Sequence, residues 1–303
     1  MMKTFYNLIF VLAVSVLHAQ ILYQENFERL SPGSIVGQGN YKLSEGHAVV
    51  TVDGSNKVLS IGGTSSYTVV ELDTGNFNGW PTRNSGNNVI QVEYDYYTGP
   101  TPARASLGGI ELIIDDEEYV GYLMNMETKN LYVGYHYWGI PIQELSLGVT
   151  LPANTWVRLG FAYDTSNLNV TFKGPGFTKV FTTWGNPSFK NVGVAYWKVN
   201  NELAEHIFDN VLVRAVAKES LLEVNDSFNS NSAIVIYPNP ATSLLNVSSK
   251  EKILSVFIYD WAGNRTEVKV EGGTIDVKSL PVGSYILGIK TENGFTTKKF
   301  IKK

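Results

Sequence analysis

Val89-Ile90-Gln91-Val92-Glu93-Tyr94-Asp95-Tyr96-Tyr97 decides the fold class. Ile90, Val92, Tyr94 and Tyr96 fall on one side of an extended chain, and Gln91, Glu93, Asp95 and Tyr97 on the other. A helix would mix the two sets, so the stretch is a strand with one face toward a core. Thr155 to Asp164 repeats the alternation with Val157, Leu159, Phe161 and Tyr163, and Leu168, Val170 and Phe172 resume it after a turn at Ser166-Asn167. Further strand-like runs are IELII, YVGYLMN, LYVGYHYW, FKNVGVAYW and HIFDNVLVR. A dozen or more strands over residues 20–216 predict a two-sheet sandwich of jelly-roll type.

The composition agrees. Among 303 residues there are 28 Gly, 17 Tyr and 14 Phe, while Asp, Glu, Lys and Arg together reach only 17%, a palette of strands and tight turns. With no cysteine, disulfides, thiolate metal sites and cysteine nucleophiles are excluded. At the N-terminus, Lys3, the apolar run Leu8 to Leu17 and Ala19 before Gln20 have the order of a secretory signal, residues 1–19. That run is too short to span a bilayer, and no later segment is long and apolar enough.

Charge divides the remainder. Residues 20–232 hold 13 Lys+Arg against 22 Asp+Glu, a net −9, whereas residues 233–303 hold 10 against 6, a net +4. Residues 217–232 between them read as a linker, polar and rich in Asn and Ser in their second half. The acidic part lacks the basic footprint that a nucleic-acid partner requires. Residues 233–303 show seven short alternating runs, which predict a small antiparallel sandwich.

The motifs of this last segment are Tyr237-Pro238-Asn239-Pro240-Ala241, Leu245-Asn246-Val247, Val256 to Asp260, Gly263, Leu280-Pro281-Val282-Gly283-Ser284-Tyr285-Ile286 and the basic end Lys298 to Lys303. In that order they resemble the type A C-terminal sorting domain of the Bacteroidota type IX secretion system, an Ig-like β-sandwich; Trp261 departs from the pattern. The resemblance implies export, with the outer-membrane translocon and a sortase-like protease as partners and a secreted or surface-attached product. Pro238, Asn239, Pro240, Gly283 and Tyr285 are the positions carried over. Pro238 and Pro240 interrupt strand pairing, and Gly283 is expected to supply a backbone angle that a Cβ would forbid.

The N-terminal domain is similar to concanavalin A-like, laminin-G-like jelly rolls through Asn26-Phe27-Glu28, Ser31-Pro32-Gly33-Ser34, Trp156-Val157-Arg158 and His206 to Val213. The resemblance implies paired first and last strands, and a structural calcium near them for which Glu28 and Asp209 are the candidates. Laminarinase-type glycosidases of that fold carry E-x-D-x-E or E-x-D-x-x-E on one strand. Glu93-Tyr94-Asp95 begins the pattern, but Tyr97 and Thr98 stand where the second catalytic carboxylate belongs, which leaves Glu93 and Asp95 as a solvated strand face. His47, His136 and His206 have no metal spacing, and Asp115 to Glu118 lies between two strands as a solvated hairpin tip. No catalytic residue is assigned. Non-catalytic carbohydrate binding is the leading expectation, with Trp80, Tyr97, Tyr137 and Trp138 as the aromatic platform. A polysaccharide-degrading enzyme and a protein-binding adhesin are the alternatives.

Overall fold

The computed structural model describes residues 19–303 apart from 44–45, 55, 63–67, 73–79, 101–104, 116–117, 138–144, 183–191, 200–203, 223–233, 261–263 and 293. Residues 1–18 of the expected signal at 1–19, most of the expected linker, Trp138, Trp261 and Gly263 therefore lie outside the described residues.

Two antiparallel sheets form the N-terminal domain. The nine-stranded sheet runs β14 (Phe177–Thr182), β13 (Asn169–Gly174), β12 (Trp156–Asp164), β7 (Val89–Tyr97), β16 (His206–Val216), β5 (Asn56–Ile61), β4 (Ala48–Asp53), β2 (Gly33–Ser34), and β1 (Gln20–Glu25) pairs with β16 beside β5. The seven-stranded sheet runs β11 (Leu145–Thr150), β10 (Asn130–Tyr137), β9 (Glu118–Asn125), β8 (Leu107–Ile114), β15 (Val192–Val199), β6 (Thr68–Leu72), β3 (Tyr41–Leu43). The first and last strands of the domain pair from Gln20–Ala215 to Glu25–Val211, as the resemblance implied. This is the jelly-roll sandwich that the alternation predicts.

The alternating residues meet between the sheets. Ile90, Val92, Tyr94 and Tyr96 pack with Val157, Leu159, Phe161 and Tyr163 and with Ile110, Leu112, Val194 and Tyr196 of the facing sheet. Each such side chain contributes roughly 1.5–3 kcal/mol of transfer free energy, partly offset by the entropy of fixing it. Tyr122 reaches across the core and donates to the carbonyl oxygens of Gly160 (3.0 Å) and Lys173 (2.9 Å). His206 is a core residue, 2.5 Å from the Tyr96 hydroxyl and 3.0 Å from that of Ser106.

The C-terminal domain is a smaller sandwich with its own core. One sheet is β17 (Val235–Tyr237), β18 (Leu244–Ser248), β21 (Thr274–Asp276); the other is β20 (Arg265–Val268), β19 (Ile253–Tyr259), β22 (Gly283–Thr291), β23 (Gly294–Lys302). Leu245, Val256, Ile258, Ile275, Leu287, Ile289 and Phe300 fill it, as a cluster separate from the N-terminal core. Tyr285 stacks on Phe300 at 5.5 Å between ring centroids and donates its hydroxyl proton to the carbonyl oxygen of Pro281. Exposed Asn239 binds the terminal strand at two points, donating to Lys299 O and accepting from the Ile301 amide, both at 2.9 Å. The expectation for Gly283 is corrected. Its φ lies outside the left-handed region, and a Cβ there would meet only Tyr285, at 3.7 Å.

The two domains are in contact. The sheet β20-β19-β22-β23 lies against the outer face of the nine-stranded sheet, where Val157 and Asn264 form a backbone bridge. The start of the linker is also packed. Leu221 is buried with Val89, Ala162 and Val216 on that outer face, and Glu219 pairs with Lys173 at 3.0 Å.

Candidate functional site

The outward side chains of β7, β12 and β16 form one polar row across the centre of the nine-stranded sheet. Asp95 stands opposite Arg158 on one side and Asp209 on the other, and Tyr97 stands opposite Trp156. The register of β16 shifts between Asp209 and Leu212, with Asn210 at φ 48°. That bulge places Asp209 and Asn210 together on the outer face, while Phe208 and Val211 both remain in the core. Asn210 donates to Asp95 Oδ2 at 2.8 Å and to Asp209 Oδ2 at 3.2 Å.

The C-terminal domain completes this row, so the expected solvated strand face is corrected: Asp95 is 0% and Glu93 5% exposed. Asp95 Oδ1 accepts from Arg158 at 2.9 Å. Its Oδ2 accepts from Asn210, from the Tyr259 hydroxyl at 2.8 Å and from Arg265 at 3.0 Å. Arg265 also reaches Asp209 Oδ2 at 3.3 Å, and its guanidinium lies between the rings of Trp156 (3.9 Å) and Phe257 (4.3 Å). Glu93 is held by Arg158 and Arg214. In the intact chain Asp95 is closed off entirely, and Glu93, at the wall of a junction cleft, is engaged by two guanidiniums.

Glu28 and Asp209, proposed from sequence as a calcium pair, do converge, and a cation of the chain itself lies between them. The ammonium of Lys290 donates to Asn56 Oδ1 (2.7 Å), Glu28 Oε1 (3.0 Å) and Asp209 Oδ1 (3.1 Å), and Lys290 is fully buried. Asn56 donates in turn to Asp209 Oδ2 at 2.7 Å. All three acceptors are oxygens, the donor type that calcium takes, and the buried Asn210 Oδ1 nearby has no hydrogen-bond partner among the described residues. The donor set suits a hard cation. Among the described residues, no three carboxylate, imidazole or thiolate groups are grouped as a metal set.

Electrostatics follows from burial against these partners. Burial works to raise Asp95, but the guanidiniums of Arg158 and Arg265, with hydrogen bonds from Asn210 and Tyr259, outweigh it and hold the carboxyl below its ordinary range. For Asp209 burial prevails over Lys290 and Arg265, with the charge of Asp95 adding to it, and the carboxyl is raised. Burial, reinforced by Asp95, carries the Tyr259 phenol well above its ordinary value.

The expected aromatic platform is partly redrawn. Trp80 is 1% exposed, lies in the core and has the Arg83 guanidinium 4.0 Å from its ring centroid, so it offers no open face. Tyr97 is half-buried and packs 5.5 Å from the ring of Trp156. Tyr137 belongs to β10, but its side chain, like Trp138, lies outside the described residues. Sequence reasoning placed Trp156 only within a structural motif. Its signal as an outward residue was the alternation of β12, which sets it on the side of Arg158.

Two clefts lie at the domain junction. The larger, about 590 Å³, is lined by Glu93, Arg158, Lys173, Tyr259, Asp260 and Lys299 among others. The smaller, about 160 Å³, includes Glu25, Asn210 and Glu292.

Residues 235–303 match the family model of the secretion system C-terminal sorting domain. No curated protein matches the chain in sequence. Among solved structures, a sialidase is 12% identical with a TM-score of 0.41, over 71% of this chain and 19% of that one; the chain thus spans about a fifth of that protein's length. A Bacteroides ovatus mixed linkage glucan GH16 structure with bound G4G4G3G product is 11% identical with a TM-score of 0.46, over 64% of this chain and 100% of that one. Lectin II from Ulex europaeus is 10% identical with a TM-score of 0.43, over 64% and 98%. The C-terminal sorting domain addresses the chain to secretion and the cell surface. No helix among the described residues is long and apolar enough to cross a membrane.

Proposed function

We propose that this exported chain is a non-catalytic carbohydrate-binding protein whose ligand face is the outer side of the nine-stranded sheet around Trp156 and Tyr97. The observation that carries the reading is the pairing of those two rings at 5.5 Å beside Asp95 and Arg158. Two adjacent aromatic faces, here tilted 44° to each other, flanked by a charge-assisted donor and an acceptor can hold a sugar ring. In the intact chain Arg265 and Tyr259 cover that surface, so binding belongs to the form from which the sorting domain has been removed. Residues 1–19 serve as the export signal, the translocon reads the folded C-terminal domain, and the sortase-like protease cuts within the linker. Glu28 and Asp209 hold a structural calcium in the processed protein. The N-terminal domain has its own core and is suited to isolation.

The test is glycan-array and polysaccharide retention of residues 20–222 against the full chain. Retention by the short form, lost on Trp156→Ala with Tyr97→Ala, supports the proposal. Retention that ignores the double substitution rejects this face as the platform.

A further inference from the structure

Three observations concern the same few ångströms of the domain junction. The Lys290 ammonium uses three donors on three oxygens of the N-terminal domain, one each from β5, from the loop after β1 and from β16. An ammonium has three N–H groups, so nothing remains for water. Second, among the described residues both cations that touch Asp209, Lys290 and Arg265, come from the C-terminal domain; Asp95, by contrast, keeps Arg158 from its own sheet. Third, the remaining partners of Asp209 are the amides of Asn56 and Asn210, which leave its charge uncompensated once the C-terminal domain departs.

We infer that Lys290 is a built-in substitute for the cation of this seat, so that docking of the sorting domain and binding of a divalent cation at Glu28 and Asp209 exclude each other. This rests on the calcium reading above and adds its regulation. A calcium ion binds carboxylate oxygen at about 2.3–2.6 Å. The Lys290 nitrogen already lies 2.7–3.1 Å from the three oxygens, so an ion binding all of them would have to take its place, and two like charges crowded into one buried site repel strongly. The ammonium can leave only with β22, because its stem is fully buried. The seat is therefore filled by the chain's own cation while the sorting domain is docked, and it becomes available to calcium at the stage when removal of that domain exposes Asp209. Arg265 acts in parallel on the other oxygen of Asp209.

The experiment uses the full chain, with terbium luminescence and calcium-dependent melting of the wild type, Lys290→Ala and Lys290→Ala with Asp209→Asn. Hydrogen exchange across residues 253–268 of the wild type is followed with and without calcium. The expected result is binding to Lys290→Ala roughly tenfold or more tighter than to the wild type, with a rise in Tm, and loss of both in the double variant. At calcium concentrations that load the wild type, exchange in β19 and β20 should rise as docking is released. Equal binding to wild type and Lys290→Ala, abolished by Asp209→Asn and without increased exchange, overturns the exclusion and leaves the calcium reading standing. Absence of binding by every form, residues 20–222 included, overturns the calcium reading and the exclusion with it. Should Lys290→Ala fail to fold, exchange in the wild type decides alone: loading without release of β19 and β20 overturns the inference.

Discussion

Arg265 of the C-terminal domain donates to Asp95 of the N-terminal domain at 3.0 Å while its guanidinium lies 3.9 Å from the ring centroid of Trp156. The two residues are 170 positions apart, and each sits on the face of its sheet turned away from its own core. The junction is thus made of charge pairs and stacked rings, and charges at such a place bring net stability only while every partner is present. That condition gives the contact its specificity and makes it separable.

Arg265→Ala should therefore weaken docking by about 3–5 kcal/mol, because it leaves Asp95 and Asp209 buried against one fewer cation. Hydrogen exchange across Tyr259 to Val268 checks it: protection of β20 should fall while that of β8 and β9 stays. Unchanged protection would mean that the pair contributes nothing net.

The two buried aspartates give opposite responses to acid. The folded value of Asp95 lies below its ordinary 3.8, so its contribution is fully present above that value and is lost as pH falls through the lower one. The folded value of Asp209 lies above 3.8, so stability rises as pH falls through it toward 3.8. Melting between about pH 3 and 7 should show a shallow gain on mild acidification followed by a loss. Asp209→Asn should remove the gain and keep the loss. A wild type that continued to gain stability below the ordinary carboxylate range would contradict the assignment for Asp95.

Trp80→Ala should act on stability alone. The side chain is buried in the N-terminal core, so truncation costs about 3–5 kcal/mol in lost burial and cavity. Its readout is a lower Tm of the N-terminal domain with unchanged glycan retention per folded molecule. Trp156→Ala should do the reverse, with a small change in Tm and loss of retention. Loss of retention by Trp80→Ala at full folding would restore Trp80 to the platform.

The two outcomes differ for Trp80 and Trp156 because alternation reports which side of a strand a residue occupies but is silent in loops. β7 and β12 were legible from Val89 to Tyr97 and from Thr155 to Asp164, since a period of two leaves one arrangement of the faces. Gly79-Trp80-Pro81 has no period, and its turn-like neighbours suggested exposure that the tertiary packing removed. Glu93 and Asp95 were placed correctly on the outer face. The burial of Asp95 depends on Tyr259 and Arg265, from another domain, and no local pattern announces such a cover. The convergence of Glu28 and Asp209 came through motif resemblance, and their occupant, Lys290, is an ordinary strand lysine in sequence. The bulge at Asn210 was visible only as a break in alternation between Phe208 and Val211, easily absorbed into a strand of this length.

The same distinction separates two residues of the sorting motif. Asn239 makes two hydrogen bonds to the terminal strand, next to the contact in which Ala241 donates to Ile301 O at 2.7 Å and accepts from Lys303 at 2.8 Å. Asn239→Ala breaks both of its bonds at an exposed position, so it should lower the stability of the C-terminal domain by about 1–2 kcal/mol and loosen the basic end Lys298 to Lys303. Gly283 lies outside the left-handed region with room for a methyl group, so Gly283→Ala should change stability by less than about 0.5 kcal/mol. Melting of the two variants, followed through the C-terminal transition, and surface delivery of each in the exporting cell supply the check. Reduced delivery of Gly283→Ala at unchanged stability would show that glycine there is read by the export machinery. Equal destabilisation by both substitutions would show instead that the backbone at position 283 tolerates no Cβ.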